Sequence, residues 1–180
     1  MSEKLSEHFT LAECCRSETA TRKGIDNMAT GEELENLKRV LEYVVEPVRV
    51  NFGVPFIPNS GYRCPDLNEA VGGNPNSQHC KGQAIDFELP GVDNEEVAFW
   101  IKDNLDYDQL ILEFYDGVDP NSGWIHVSYV SAGDNRNESL VFNGKSYDFC
   151  FFCVAFTTSI ITNHLDLVFV KLTHLVFIIR

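Results

Sequence analysis

The sequence predicts an α+β domain: a small antiparallel sheet with helices on one face and a ligand-bearing surface on the other. Three observations carry this expectation. Three short stretches alternate apolar and polar residues with a period of two, and one longer stretch repeats apolar residues at helical spacing. The polar positions of the alternating stretches also bring together an aspartate, a glutamate and a histidine.

Taken in chain order, Thr10 opens a short helix over 11–15. Thr30 then stands three residues before Glu33, the spacing of a capping box, and Leu34, Leu37, Val40, Leu41, Val44 and Val45 make one apolar face behind it. Pro47 marks either the end of that helix or a kink, because proline lacks an N–H and its ring crowds the carbonyl four residues earlier. A third helix is expected from about Asn94 to Asn104, with Val97, Phe99, Trp100 and Ile101 as its apolar contacts.

The strands are read over 83–89, 109–114 and 124–129. The first sets Ile85, Phe87 and Leu89 against Ala84, Asp86 and Glu88. The second sets Leu110, Leu112 and Phe114 against Gln109 and Glu113, and the third sets Ile125, Val127 and Tyr129 against Trp124, His126 and Ser128. An antiparallel sheet covered by helices on its apolar side would leave Asp86, Glu113 and His126 together on the other. The glycine- and asparagine-rich stretch 59–83 is expected to wall that surface as a loop.

Composition divides the chain near residue 148. Of 27 acidic residues, 26 precede this point, and 21 of the 32 residues after it are apolar, against 58 of the 148 before it. Residues 1–148 are therefore read as the domain and 149–180 as an apolar C-terminal extension. Within the extension, the run 149–161 is too short to span a bilayer, and Asp166, Lys171 and His174 interrupt the run 165–179, so membrane contact is not expected. A net charge of −13 repels phosphate backbones, and without a basic patch the sequence excludes a nucleic-acid partner. The start lacks the basic and apolar segments of an export signal, so reduced thiols are expected for its six cysteines. Cys150 and Cys153 have redox-motif spacing without a second pair and are read as apolar packing, and a Cys64–Cys80 bridge is the minor alternative to free thiols.

The chemistry concentrates in Ser77-Gln-His79-Cys-Lys-Gly82-Gln-Ala-Ile-Asp86 and in Trp124-Ile-His126. His79, Asp86 and His126 are the right donors for a zinc site with a fourth position open to water. Spacing alone leaves a second reading open, in which these histidines are simply hydrogen-bonded.

Around these residues, Ser60-Gly-Tyr-Arg63, Asn68, Val71-Gly-Gly73, Ser77-Gln-His79, Gly82-Gln-Ala-Ile-Asp86 and Trp124-Ile-His126-Val-Ser resemble the D-alanyl-D-alanine carboxypeptidase-like zinc peptidases, and more closely their compact phage and endolysin-type members. Earlier matches in the same order are His8-Phe-Thr-Leu-Ala-Glu13, Arg16-Ser, Ala20-Thr-Arg, Gly24-Ile-Asp-Asn27 and Pro47-Val-Arg49, so that the resemblance spans about residues 8–147. It implies a Hedgehog/D,D-peptidase-like fold, Zn2+ held by His79, Asp86 and His126, and Arg63 holding a substrate carboxylate, with Ser77 as a further substrate contact. It also implies a monomer acting on peptidoglycan stem peptides, made in the cytoplasm or carried by a phage and reaching the cell wall after release.

The sequence departs from the family at one place. Many relatives carry Asp or Glu three residues before the last histidine ligand, where this chain has Gly123. Glu113 is therefore assigned as the general base, with Asp116 and Asp119 as fallbacks. If no base were present, the alternative would be a non-catalytic, zinc-stabilised cell-wall binding module on the same fold.

Overall fold

The structure, a computed structural model, describes residues 3–148. The C-terminal extension, with Cys150 and Cys153, lies outside the described residues. The domain is α+β, as expected. Its elements are α1 (Leu11–Cys14), α2 (Glu18–Lys23), α3 (Gly31–Val40), a π-helical turn (Leu41–Val45), α4 (Glu46–Phe52), α5 (Pro65–Ala70), a 3-10 turn (Gln78–Lys81), β1 (Ala84–Phe87), α6 (Asn94–Asn104), β2 (Gln109–Glu113), β3 (Trp124–Ser128), β4 (Glu138–Phe142) and β5 (Tyr147–Asp148).

The first helices show how local chemistry sets boundaries. At α1 the capping box is complete: the Glu13 N–H donates to Thr10 Oγ1 at 3.4 Å, and the Thr10 N–H donates to Glu13 Oε2 at 2.8 Å. The box expected at Thr30 is absent. The chain enters α3 through Gly31 at φ 56°, and Thr30 makes no side-chain capping bond. Pro47 does not end the helix. It falls just after the π-helical turn, two residues into α4, so the widened turn accommodates the missing N–H and the chain continues helical to Phe52.

The sheet has the order β1-β3-β2-β4-β5. The β1–β3, β3–β2 and β4–β5 pairs are antiparallel, but β2 and β4 are parallel, which corrects the purely antiparallel expectation. The segment 129–137 reverses the chain after β3 and returns it along the far side of β2, so β4 runs against β3 and therefore with β2. Hydrogen bonds from the Asn137 N–H to the Tyr107 carbonyl (3.0 Å) and from the Glu138 N–H to the Asp108 carbonyl (3.0 Å) fix that return.

On one face, Ile85, Phe87, Leu110, Leu112, Ile125 and Val127 pack with Val97, Ala98 and Ile101 of α6 and with Leu37, Val40, Leu41, Val44, Val45 and Val48 of the α3–α4 run. This is the apolar parity read from the sequence, with one exception. Phe114 leaves the strand at φ 57° and is 46% exposed rather than packed beside Leu112. The stretch 59–83 is not a plain loop, since it contains α5 and the 3-10 turn. No helix among the described residues is long and apolar enough to cross a membrane.

Candidate metal centre

Asp86 and His126 face each other directly across the β1–β3 ladder, the position at which antiparallel side chains approach most closely. The far side of β1 is also held. The Asp86 N–H donates to the Ser60 carbonyl at 2.7 Å, and the Asn59 N–H donates to the Asp86 carbonyl at 2.8 Å. His79 arrives from the 3-10 turn, which Ser77 caps at one end by accepting the His79 N–H at 3.3 Å. From α3, Asn36 pins the other end by donating to the Lys81 carbonyl at 2.9 Å.

The three side chains are buried and converge, each offering one ligand atom within 4.8 Å of the others. His126 Nδ1 lies 2.8 Å from Asp86 Oδ1, His79 Nε2 lies 3.2 Å from the same oxygen, and the two ring nitrogens are 3.3 Å apart. Ligands about 2.0–2.1 Å from a tetrahedral ion stand about 3.3 Å from one another, so these spacings suit one metal with an open fourth position.

Proton placement gives a second test of fit. His79 Nδ1 sits 2.7 Å from the Gly61 carbonyl, which can only accept, so this nitrogen carries the proton and Nε2 presents a lone pair. Burial, the largest influence on His79, pushes its pKa down and opposes the imidazolium form, although Asp86 acts the other way. Burial would raise the Asp86 carboxyl, but the attraction and hydrogen bonds of the two imidazoles outweigh it and hold that group well below the usual carboxylate range. When His79 is neutral, its Nε2 lone pair and the carboxylate oxygen face each other at 3.2 Å in a dry site, whereas a proton on Nε2 bridges them. A cation between them turns that repulsion into coordination. Two imidazole nitrogens and one carboxylate oxygen suit a borderline divalent ion.

These three side chains form one wall of a cleft of about 450 Å3 that Arg63, Ser77, Glu113 and Trp124 also line. The structure therefore brings together every site residue expected from the sequence. Glu113, at the end of β2 opposite Trp124, has its carboxyl pushed up, first by burial and then by the nearby Asp86 charge. Asp116 and Asp119 do not join the cleft. Asp116 Oδ1 is occupied by the Val118 and Asp119 N–H groups at 2.9 and 2.8 Å, which fold the following loop.

The structure also explains the glycine at 123. It lies at φ 67°, and a Cβ there would come within 1.8 Å of the Glu113 carbonyl oxygen and 2.7 Å of the Phe114 carbonyl carbon. The backbone leaving Glu113 fills the space a carboxylate side chain would need, and the cleft's carboxylate comes from Glu113 itself.

Sequence reasoning missed the supports. Asn27 donates through Nδ2 to the Cys15 and Tyr62 carbonyls at 2.8 and 2.9 Å and accepts the Cys64 N–H at 2.8 Å, so it clamps the chain on both sides of Arg63. Asp108 accepts three bonds from Arg136, one from its backbone N–H at 3.1 Å and two from its guanidinium at 2.9 and 2.7 Å, and one from Gln78 at 2.9 Å, tying the His79 turn to the approach to β4. The resemblance had reached Asn27 without giving it a task, while nothing in local sequence pairs Arg136 with Asp108. The four described cysteines, Cys14, Cys15, Cys64 and Cys80, are free.

No curated protein matches the chain. A family model described as Peptidase M15 matches residues 7–128, a span that includes β1, β2, β3 and His79, Asp86 and His126. The match covers most of the chain and encloses the buried His–Asp–His cluster, so the chain belongs to the Peptidase M15 family of metallopeptidases.

Proposed function

We propose that the chain is a zinc peptidase that hydrolyses peptidoglycan stem peptides, as a D,D-carboxypeptidase or an endolysin-type endopeptidase. The observation carrying this reading is the cleft itself, in which His79, Asp86 and His126 share one cavity with a carboxylate and a guanidinium. Zinc in this site supplies Lewis-acid activation of water and of the peptide carbonyl. Glu113 takes the proton from the attacking water and passes it to the leaving amine. Burial keeps its carboxyl above the ordinary range, closer to the pH at which such a shuttle works best. Arg63 presents a planar guanidinium suited to a carboxylate, and its Nε has no protein partner. The Ser77 hydroxyl accepts the His79 N–H and keeps its own hydrogen for a substrate carbonyl.

The binding-module reading rested on Gly123, and it loses that support because Glu113 supplies the cleft with a carboxylate. The test is to incubate the zinc-loaded protein with bacterial peptidoglycan, with and without a chelator, and follow new amines and released D-alanine. Chelator-sensitive release is expected, and its products separate carboxypeptidase from endopeptidase. Zinc bound without any release would refute the enzyme.

A further inference from the structure

A second cavity, of about 310 Å3, adjoins the metal cleft, with Arg63 lining both. Arg16 and Arg22, flanking and within α2, line it as well. Between residues 3 and 148 the sequence has six arginines, and three of them meet here in a chain of net charge −13. Among the described residues none of the three is in an ion pair. Arg136, by contrast, is paired with both Asp108 and Glu138. The contacts around the cavity are weak: Arg22 donates to Thr19 Oγ1 at 3.3 Å, and Glu18 is the one acidic residue in the lining. Three positive charges against one negative charge leave the cavity in need of an anion.

We propose that Arg16 and Arg22, continuing the surface of Arg63, form a specificity subsite for a second carboxylate on the substrate peptide, several atoms from the bond that is cut. This rests on the peptidase reading above. Guanidinium groups bind carboxylates in a two-pronged geometry, and the overall negative charge opposes a polyanion while leaving room for one local carboxylate. Stem peptides have such a group in the α-carboxylate of D-glutamate. Amidation of that group to D-isoglutamine removes its charge and almost nothing else.

The test uses that pair. The zinc-loaded full chain carrying Glu113→Gln, which slows turnover, is titrated calorimetrically with L-Ala-γ-D-Glu-L-Lys-D-Ala-D-Ala and with its D-isoglutamine counterpart. The acid is expected to bind about tenfold more tightly, the size of one charge-assisted hydrogen bond. Adding Arg16→Gln and Arg22→Gln should bring the two affinities together. Both arginines are exposed, and zinc stoichiometry and a thermal melt check that the variant folds. Equal affinities in the parent, or a preference that survives the double substitution, would overturn the subsite while leaving the peptidase reading intact. Failure of both peptides to bind the zinc-loaded parent would refute the stem-peptide reading, and the subsite with it.

Discussion

In the proposed reaction one carboxylate, Glu113, held in a half-buried setting, moves the proton. Glu113→Gln should keep the metal, which metal analysis would show, and lose peptide hydrolysis by about a thousandfold. Burial and Asp86 raise the Glu113 carboxyl, so its base form is lost as pH falls through a value above the ordinary one. The acidic limb of kcat/KM in the zinc-loaded protein is expected to follow loss of the Glu113 base form and to vanish in the Gln variant, as a pH–rate profile would reveal. Gly123→Asp, which would place a carboxylate three residues before His126, should instead damage the protein. With the left-handed backbone and the 1.8 Å approach to the Glu113 carbonyl oxygen, a loss of several kcal/mol is expected, read as a lowered Tm. The convergence of His79, Asp86, His126 and Glu113 was legible because three of them alternate on strands and histidines are scarce. The need for glycine at 123 was not, because it comes from the backbone of a neighbouring strand.

Among the elements, the loop carrying Arg63 owes its position to a residue from a different part of the chain. Asn27→Ala removes three hydrogen bonds at once, two of them buried, and should cost about 3 kcal/mol, measurable by urea unfolding. It should also raise KM more than it lowers kcat, since the metal ligands are held elsewhere. Helices and strands with strong periodicity, such as α6 and β1 to β3, were readable in the sequence. β4 and β5 were not. β4 has five residues and pairs in parallel with a strand that is not its neighbour in sequence, and β5 has two residues. The Thr30 box failed for a related reason, because a capping pattern specifies residue types but not the direction from which the chain enters.

For the molecule as a whole, His79, Asp86 and His126 join a turn to two strands, so an ion that they hold only in the folded state should stabilise all of it. Chelation is expected to lower the Tm and zinc to restore it, as a calorimetric scan would show. The compositional break at residue 148 leads to a further expectation: a chain ending at Asp148 should fold and bind one metal per molecule, and loss of the melting transition would show that the extension belongs to the core.

The double bracing of β1 has a consequence for exchange with solvent. The Asp86 amide is locked to the Ser60 carbonyl on one side of the strand, while its side chain meets His126 on the other. Removing the metal frees the carboxylate but leaves that backbone bond in place. In deuterium oxide the Asp86 amide should therefore remain among the slowest to exchange even in metal-free protein, becoming labile only when the sheet as a whole opens.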